Sequence, residues 1–215
     1  MRKITPEESI LFKYAELLDS CKIARLTGTR GAEEIYKLQV LDCLESVKFL
    51  PVSGSVIDVG TGGGLPGIVW AVYRPDLEIT LLDSIAKKCN ALTEIVNSLE
   101  IKNIKIVCSR SEDFAKIQRE KFDLAAAKAV ASAGVTAELL SPLVKVKGHL
   151  MTFKGEKIQD EISEVKNQWY KLGLKNPAIN FYENNKCVVT WEKIMPCSKK
   201  FPRKSGLALS KKFWE

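Results

Sequence analysis

The chain has 215 residues, enough to bury a full core in one domain with modest appendages. Hydrophobic residues make up 46% and charged residues 27%, an ordinary globular balance, and no apolar run approaches the length of a membrane span. The formal charge of +7 is uneven: residues 195–215 hold six basic residues and one acid, a local +5 that leaves about +2 for everything before them.

The polar, charged start from Met1 to Ser9 carries no secretory signal, so a cytoplasmic protein is expected. Thr5-Pro6-Glu7-Glu8 predicts a helix start: Thr5 caps, Pro6 suits the first helical position and Glu8 completes a capping box. Ile10, Leu11, Tyr14, Leu17 and Leu18 continue at helical spacing. A polar stretch from Leu26 to Gly31 follows, and a second helix is predicted from about Ala32 to Phe49 with Ile35, Leu38, Leu41 and Leu44 on one face. Strands and helices then alternate. Predicted strands are Ser55 to Val59, Glu78 to Leu82, Ile104 to Cys108, Phe122 to Ala126 and Gly148 to Phe153. Helices are predicted from Leu65-Pro66, over Ile85 to Ser98, over Val135 to Leu143 and from about Glu156 to Tyr170. Two last strands, Ala178 to Tyr182 and Cys187 to Trp191, flank the turn Glu183-Asn184-Asn185. Alternation demands right-handed crossovers and a mostly parallel sheet, while a short turn makes the last pair antiparallel. The expected architecture is an α/β, Rossmann-like sheet with a terminal antiparallel hairpin. Its expected divisions are N-terminal helices over 1–50, a sheet domain over 51–194 and a basic tail over 195–215.

The six cysteines (Cys21, Cys43, Cys89, Cys108, Cys187, Cys197) form no C-x-x-C pair, and His149 is the single histidine. No metal site is expected, free thiols are, and His149 reads as structural.

The chemical signal is the strand-turn-helix around Asp58-Val59-Gly60-Thr61-Gly62-Gly63-Gly64. Glycines after a first strand let the backbone turn sharply and approach a ligand without Cβ interference. Asp83 closes the next strand, 23 positions after Gly60, where an acid can accept from both ribose hydroxyls of a nucleoside cofactor. A dinucleotide fingerprint requires a third glycine, and Leu65 stands there instead. Asp58, ahead of the first glycine, favours S-adenosylmethionine, a cationic ligand with no pyrophosphate; alternatively it braces the turn. Tyr182 and Lys186 match the Y-x-x-x-K spacing of short-chain dehydrogenases, but that chemistry needs one helical face and Glu183-Asn184-Asn185 reads as a hairpin turn.

The run Val56-Ile57-Asp58-Val59-Gly60-Thr61-Gly62-Gly63-Gly64-Leu65-Pro66-Gly67 resembles the motif of the glucose-inhibited division protein B family. Leu81-Leu82-Asp83-Ser84 with Lys87-Lys88, Ser109-Arg110-Ser111-Glu112-Asp113-Phe114 and the ending Lys199-Lys200-Phe201-Pro202-Arg203-Lys204-Ser205-Gly206 are similar to further family segments, so the likeness runs from about Tyr14 to Lys212. The resemblance implies a class I methyltransferase fold and S-adenosylmethionine-dependent methylation of guanine N7 in bacterial small-subunit ribosomal RNA. It implies that Gly60 and Leu65 contact the cofactor through the turn, that Asp83 holds the ribose and that Ser111 and Glu112 flank the adenine; Asp58 and Gly62 are cofactor candidates from their own place in the turn. Guanine N7 has a lone pair and no proton, so no general base is required and positioning carries the rate. Lys128, just past the fourth strand, is the expected catalytic cation, meeting RNA or cofactor near the transferred methyl. Lys199, Lys200, Arg203 and Lys204 are expected on RNA phosphates, since each neutralised phosphate releases a counterion. The expected partner is small-subunit rRNA or the subunit itself, with no membrane and a monomeric enzyme.

Two segments depart from the family pattern. The family's Arg-His on the second N-terminal helix is replaced within Leu38-Gln39-Val40-Leu41-Asp42-Cys43, and its Ser-Arg-Ala is Ala127-Lys128-Ala129. Lysine keeps the charge of arginine but not its planar fork. A methyltransferase for another nucleotide or a small molecule, and a non-catalytic RNA-binding assembly protein, are the competing functions.

Overall fold

The computed structural model describes residues 4–215. Residues 1–3 lie outside that range, and with them part of the polar start and of the expected N-terminal unit. Seven strands form one sheet: β1 Ser55–Val59, β2 Glu78–Asp83, β3 Ile104–Cys108, β4 Phe122–Lys128, β5 Val144–Lys154, β6 Ala178–Phe181 and β7 Cys187–Glu192. Their order is β3-β2-β1-β4-β5-β7-β6. The first five are parallel, and β7 runs antiparallel between β5 and β6. The expected parallel sheet with a closing hairpin is what forms. The inner strands are apolar on both faces, because both faces are covered.

One face carries α1 (Pro6–Ser20), α2 (Ala32–Ile35), α3 (Leu41–Leu44), α4 (Gly67–Tyr73) and α5 (Ala86–Ser98). Leu11, Tyr14 and Leu18 of α1 pack there with Val56, Ile79, Leu81 and Ala126 from the strands. The other face packs Ile57, Val59, Ala125 and Ala127 against α7 (Ala133–Leu140) and α8 (Ile158–Glu164), together with Phe201, Ala208 and Trp214 from the C-terminal segment. α6 (Ser111–Ile117) follows β3, and a single-turn α9 (Leu207–Ser210) lies near the end of the chain. The capping box at Thr5 and Glu8 forms as its residues dictate. None of the helices is long and apolar enough to cross a membrane among the described residues.

The second helix departs from expectation. It is split into α2, a π-helical turn at Tyr36–Val40, α3, and a 3-10 turn at Val47–Phe49. A π turn inserts one residue into the helical repeat and rotates everything after it by roughly 100°. The expected stripe is therefore lost: Leu38 is 55% and Leu41 38% exposed, while Val40 and Cys43 are fully buried. The predicted helix over Glu156 to Tyr170 also breaks, where Lys166 and Asn167 turn left-handed between α8 and a 3-10 turn at Gln168–Leu172.

Candidate active site

The parallel strands β1 to β5 end at one edge of the sheet, which collects Gly60, Asp83, Ser109 and Lys128. Open α/β sheets bind ligands at this edge. The glycine turn is tied down from several sides. Gly60 and Thr61 N–H groups both donate to the Leu82 carbonyl, at 2.8 and 3.0 Å. Gly60 has φ +68°, and a Cβ on it would lie 2.8 Å from Val130, so both backbone and space require glycine. The Tyr14 hydroxyl, fully buried on α1, donates to the Gly63 carbonyl at 2.6 Å. The N-terminal helices thus buttress the turn from behind.

Two acids hold the turn from inside. Asp58 is fully buried; its Oδ2 accepts from the Thr61 hydroxyl at 2.7 Å and from Gly67 N–H at 3.0 Å. Its Oδ1 has no hydrogen-bond partner. Burial pushes this carboxyl up to about 6, against the hydrogen bonds from Thr61 and Gly67 and the charge of Lys128, which pull it down. Asp83 is also buried, and each of its oxygens accepts one backbone N–H, from Gly62 at 3.0 Å and from Ile85 at 2.9 Å. A carboxylate offers about four acceptor sites, so Asp83 keeps capacity for further donors.

A cavity opens at this edge, and Gly60, Asp83, Ser111 and Glu112 all line it. Ser111 and Glu112, the first residues of α6, are 9% and 8% exposed, and the Ser111 hydroxyl bonds the Glu112 carboxylate at 3.3 Å. The structure therefore brings most of the sequence-selected positions around one space, with Asp58 and Gly62 bracing it from beneath. Leu65 is not on the cavity wall; it packs half-buried against the α1 to α5 core.

Lys128 also points away from the cavity, into the α1 to α5 face. Its ammonium pairs with Asp42 Oδ2 at 2.7 Å and lies 5.2 Å from the centre of the Phe153 ring. Asp42 further accepts from the Tyr182 hydroxyl at 2.9 Å and from Lys186 at 3.0 Å. Burial alone would raise the Asp42 carboxyl, but Lys128, Lys186 and Tyr182 together hold it below its ordinary range. Lys128 is in turn held above the usual lysine range by Cys43 and Asp42, burial notwithstanding. Tyr182 and Lys186 sit at either end of a 3-10 turn between β6 and β7, so their spacing serves this ion pair and no helical face joins them. Immediately after Lys128, Ala129 has φ +57°, a left-handed conformation that non-glycine residues adopt sparingly and that collects at functional sites. Gln39 donates to Thr27 and Thr29 at 2.7 and 2.6 Å and so holds the 22–31 loop.

The basic tail is packed. Lys199, Lys200 and Lys204 are exposed. Arg203 makes a two-pronged pair with Glu138, both bonds at 2.6 Å, and Glu138 is only 2% exposed. The residues that sequence reasoning missed are Tyr14, Asp42 and the tail's Gly206 and Leu209, which line the same cavity as Glu112. His149 lies opposite Leu124, at the amino end of the parallel strands and away from the site.

A family model described as rRNA small subunit methyltransferase G matches residues 7–189. The chain is 41% identical over 191 residues to the ribosomal RNA small subunit methyltransferase G of Clostridium perfringens, covering 84% of this chain and 80% of that one. It is 36% identical over 205 residues to the protein of that name from Petrotoga mobilis, covering 91% and 90%. Among solved structures, a SAM dependent methyltransferase from Aquifex aeolicus superposes with a TM-score of 0.56 at 16% identity, covering 85% of this chain and 97% of that one. That likeness is one of fold, and with the strand order it makes this a class I methyltransferase sheet. The chain belongs to the rRNA small subunit methyltransferase G family.

Proposed function

We propose that the protein methylates N7 of a guanine in small-subunit ribosomal RNA, with S-adenosylmethionine as methyl donor. The observation that carries the cofactor reading is the cavity at the strand edge, walled by two buried acids, Asp83 and Glu112. Asp83, with acceptor capacity left, would take the ribose hydroxyls, and Ser111 and Glu112 the adenine amine. Asp58 adds negative charge under the turn with one oxygen uncompensated, which favours a cationic ligand over a pyrophosphate. Gly60, Gly62 and Leu65 would shape the turn around the methionine end. S-adenosylmethionine supplies an activated methyl group on a sulfonium.

Guanine N7 brings its own lone pair, so the chain need only position the base and no proton transfer is asked of it. Lys128, at the carboxyl end of β4 beside the left-handed Ala129, would act on the reaction through its pair with Asp42, which ties α3 and the β6–β7 turn to the edge where the acceptor would enter. The guanine and N7 assignments rest on the family resemblance. Lys199, Lys200 and Lys204 would contact RNA phosphates, with Arg203 holding their segment in place. In this reading the N-terminal unit, through its described residues up to 50, covers the sheet, 51–194 hold the cofactor, 195–215 form the basic tail, and the enzyme works as a monomer on rRNA or the assembled subunit.

The test is calorimetric titration of the protein with S-adenosylhomocysteine and, separately, with NAD. Binding of the first and not the second is expected; the reverse outcome overturns the cofactor reading.

A further inference from the structure

The C-terminal segment reaches the cavity that Asp83 and Glu112 line. Gly206 and Leu209 line the cavity together with Glu112. The Gly206 N–H donates to Glu112 Oε1 at 2.8 Å, across 94 residues of sequence. With the Ser111 hydroxyl on Oε2, the Glu112 carboxylate is held by one donor on each oxygen. About two of its acceptor sites then remain for a donor arriving through the cavity.

The loop that presents Gly206 is closed on itself. Arg203 grips Glu138 and also donates to the Lys211 carbonyl at 2.6 Å, joining the two ends of the 204–210 arch. Beyond the arch, Trp214 packs on Gly134 of α7 so closely that a Cβ there would lie 2.3 Å from its ring. The Trp214 carbonyl accepts from Gln168 at 3.0 Å. Gly206 itself has φ +81°, while a Cβ at that position would meet nothing within 4 Å. Glycine is thus required there by the backbone conformation that aims its N–H, and not by crowding. Leu209 is 65% exposed although it lines the cavity.

We propose that this tail arch is part of the cofactor site: the Gly206 N–H orients Glu112 to recognise the adenine amine, and Leu209 forms the outer wall against the adenosine. The proposal rests on the S-adenosylmethionine reading. It assigns the tail a cofactor-binding role in addition to its charge. Glu112 would discriminate an amino purine, which donates, from an oxo purine, which presents an oxygen to a carboxylate. Leu209 would add affinity through the apolar area it shares with the ligand.

The experiment is calorimetric titration of the full-length protein with S-adenosylhomocysteine and with S-inosylhomocysteine, in which an oxygen replaces the purine amine. Wild type, Gly206→Ala and Leu209→Ala are compared. Wild type should prefer the adenosine ligand by roughly 30-fold or more, as for a site that leaves a buried acceptor facing an acceptor. Gly206→Ala should narrow that preference at least ~3-fold, because strain at a positive φ displaces the N–H that holds Glu112. Leu209→Ala should weaken both ligands by about 5-fold and leave the preference unchanged. If wild type binds neither ligand, the cofactor reading falls and this proposal with it. If wild type binds with the expected preference and both variants match it in affinity and preference, the tail role alone is overturned.

Discussion

Replacing Asp58 by asparagine should stabilise the ligand-free protein while weakening its hold on the cofactor. Burial raises the Asp58 carboxyl from its ordinary 3.8 to about 6. Keeping it ionised in the folded state at pH 8 therefore costs ~3 kcal/mol, because each tenfold change in proton affinity is worth ~1.4 kcal/mol. The sign follows from proton uptake: between 3.8 and about 6 the folded protein binds more protons than the unfolded chain, so stability falls as pH rises through that window. In Asp58→Asn the amide oxygen can take over both bonds to Oδ2, from Thr61 and Gly67. The amide NH₂ then occupies the place of Oδ1, which has no partner, and leaving it unpaired costs ~1–2 kcal/mol. The net gain is ~1–2 kcal/mol at pH 8, equivalent to a melting point higher by roughly 3–6 °C for a chain of this size. At pH 5 the wild-type penalty falls by roughly half and the advantage nearly disappears. Thermal unfolding of both proteins at pH 8 and pH 5 reads the effect. A variant less stable at pH 8, or a difference unchanged at pH 5, would mean that Asp58 is not held charged at a cost. Affinity for S-adenosylhomocysteine should meanwhile drop roughly tenfold at pH 8, through loss of the negative charge under the turn.

Further predictions separate site from scaffold. Tyr14→Phe removes the buried hydroxyl from the Gly63 carbonyl and should cost ~1–2 kcal/mol in urea unfolding while raising the Kd for the cofactor, which calorimetry would show. Lys128→Met strips Asp42 of its shortest ion pair, though Lys186 and Tyr182 remain. A loss of ~2 kcal/mol in stability is expected, with methyl transfer falling further than cofactor binding; Lys128→Arg should recover most of both. Arg203→Met leaves Glu138 buried without its cation and should destabilise by ~3 kcal/mol. Lys199→Ala and Lys200→Ala should leave stability within ~0.5 kcal/mol and reduce RNA affinity with a shallower salt dependence, measurable by filter binding over a salt series.

Much of the site is legible in the sequence because its parts are local. The glycine turn reads directly from residues that tolerate positive φ, and Asp83 from its place at the end of the next strand. Other features depend on what the chain folds against. The stripe of Ile35, Leu38, Leu41 and Leu44 is a sound reading for an uninterrupted helix, and it fails because the π turn at Tyr36–Val40 changes the phase. Lys128 stands out by position, but its partner Asp42 lies 86 residues earlier and only tertiary packing joins them. In the tail, charge draws attention to phosphate, whereas Phe201 between the lysines and Phe213 and Trp214 just after them carried the signal that the segment packs. Arg203, one of the tail's cations, is committed to Glu138 for the same reason.

Methyl transfer in a defined mixture tests the proposed activity itself. Purified protein, S-adenosylmethionine with a labelled methyl group, and small-subunit rRNA from cells lacking the gene would be combined, and the product digested and mapped by mass. One labelled 7-methylguanosine at a single position is expected. Label in another nucleoside, or no label in RNA from a protein that binds the cofactor, would contradict that activity.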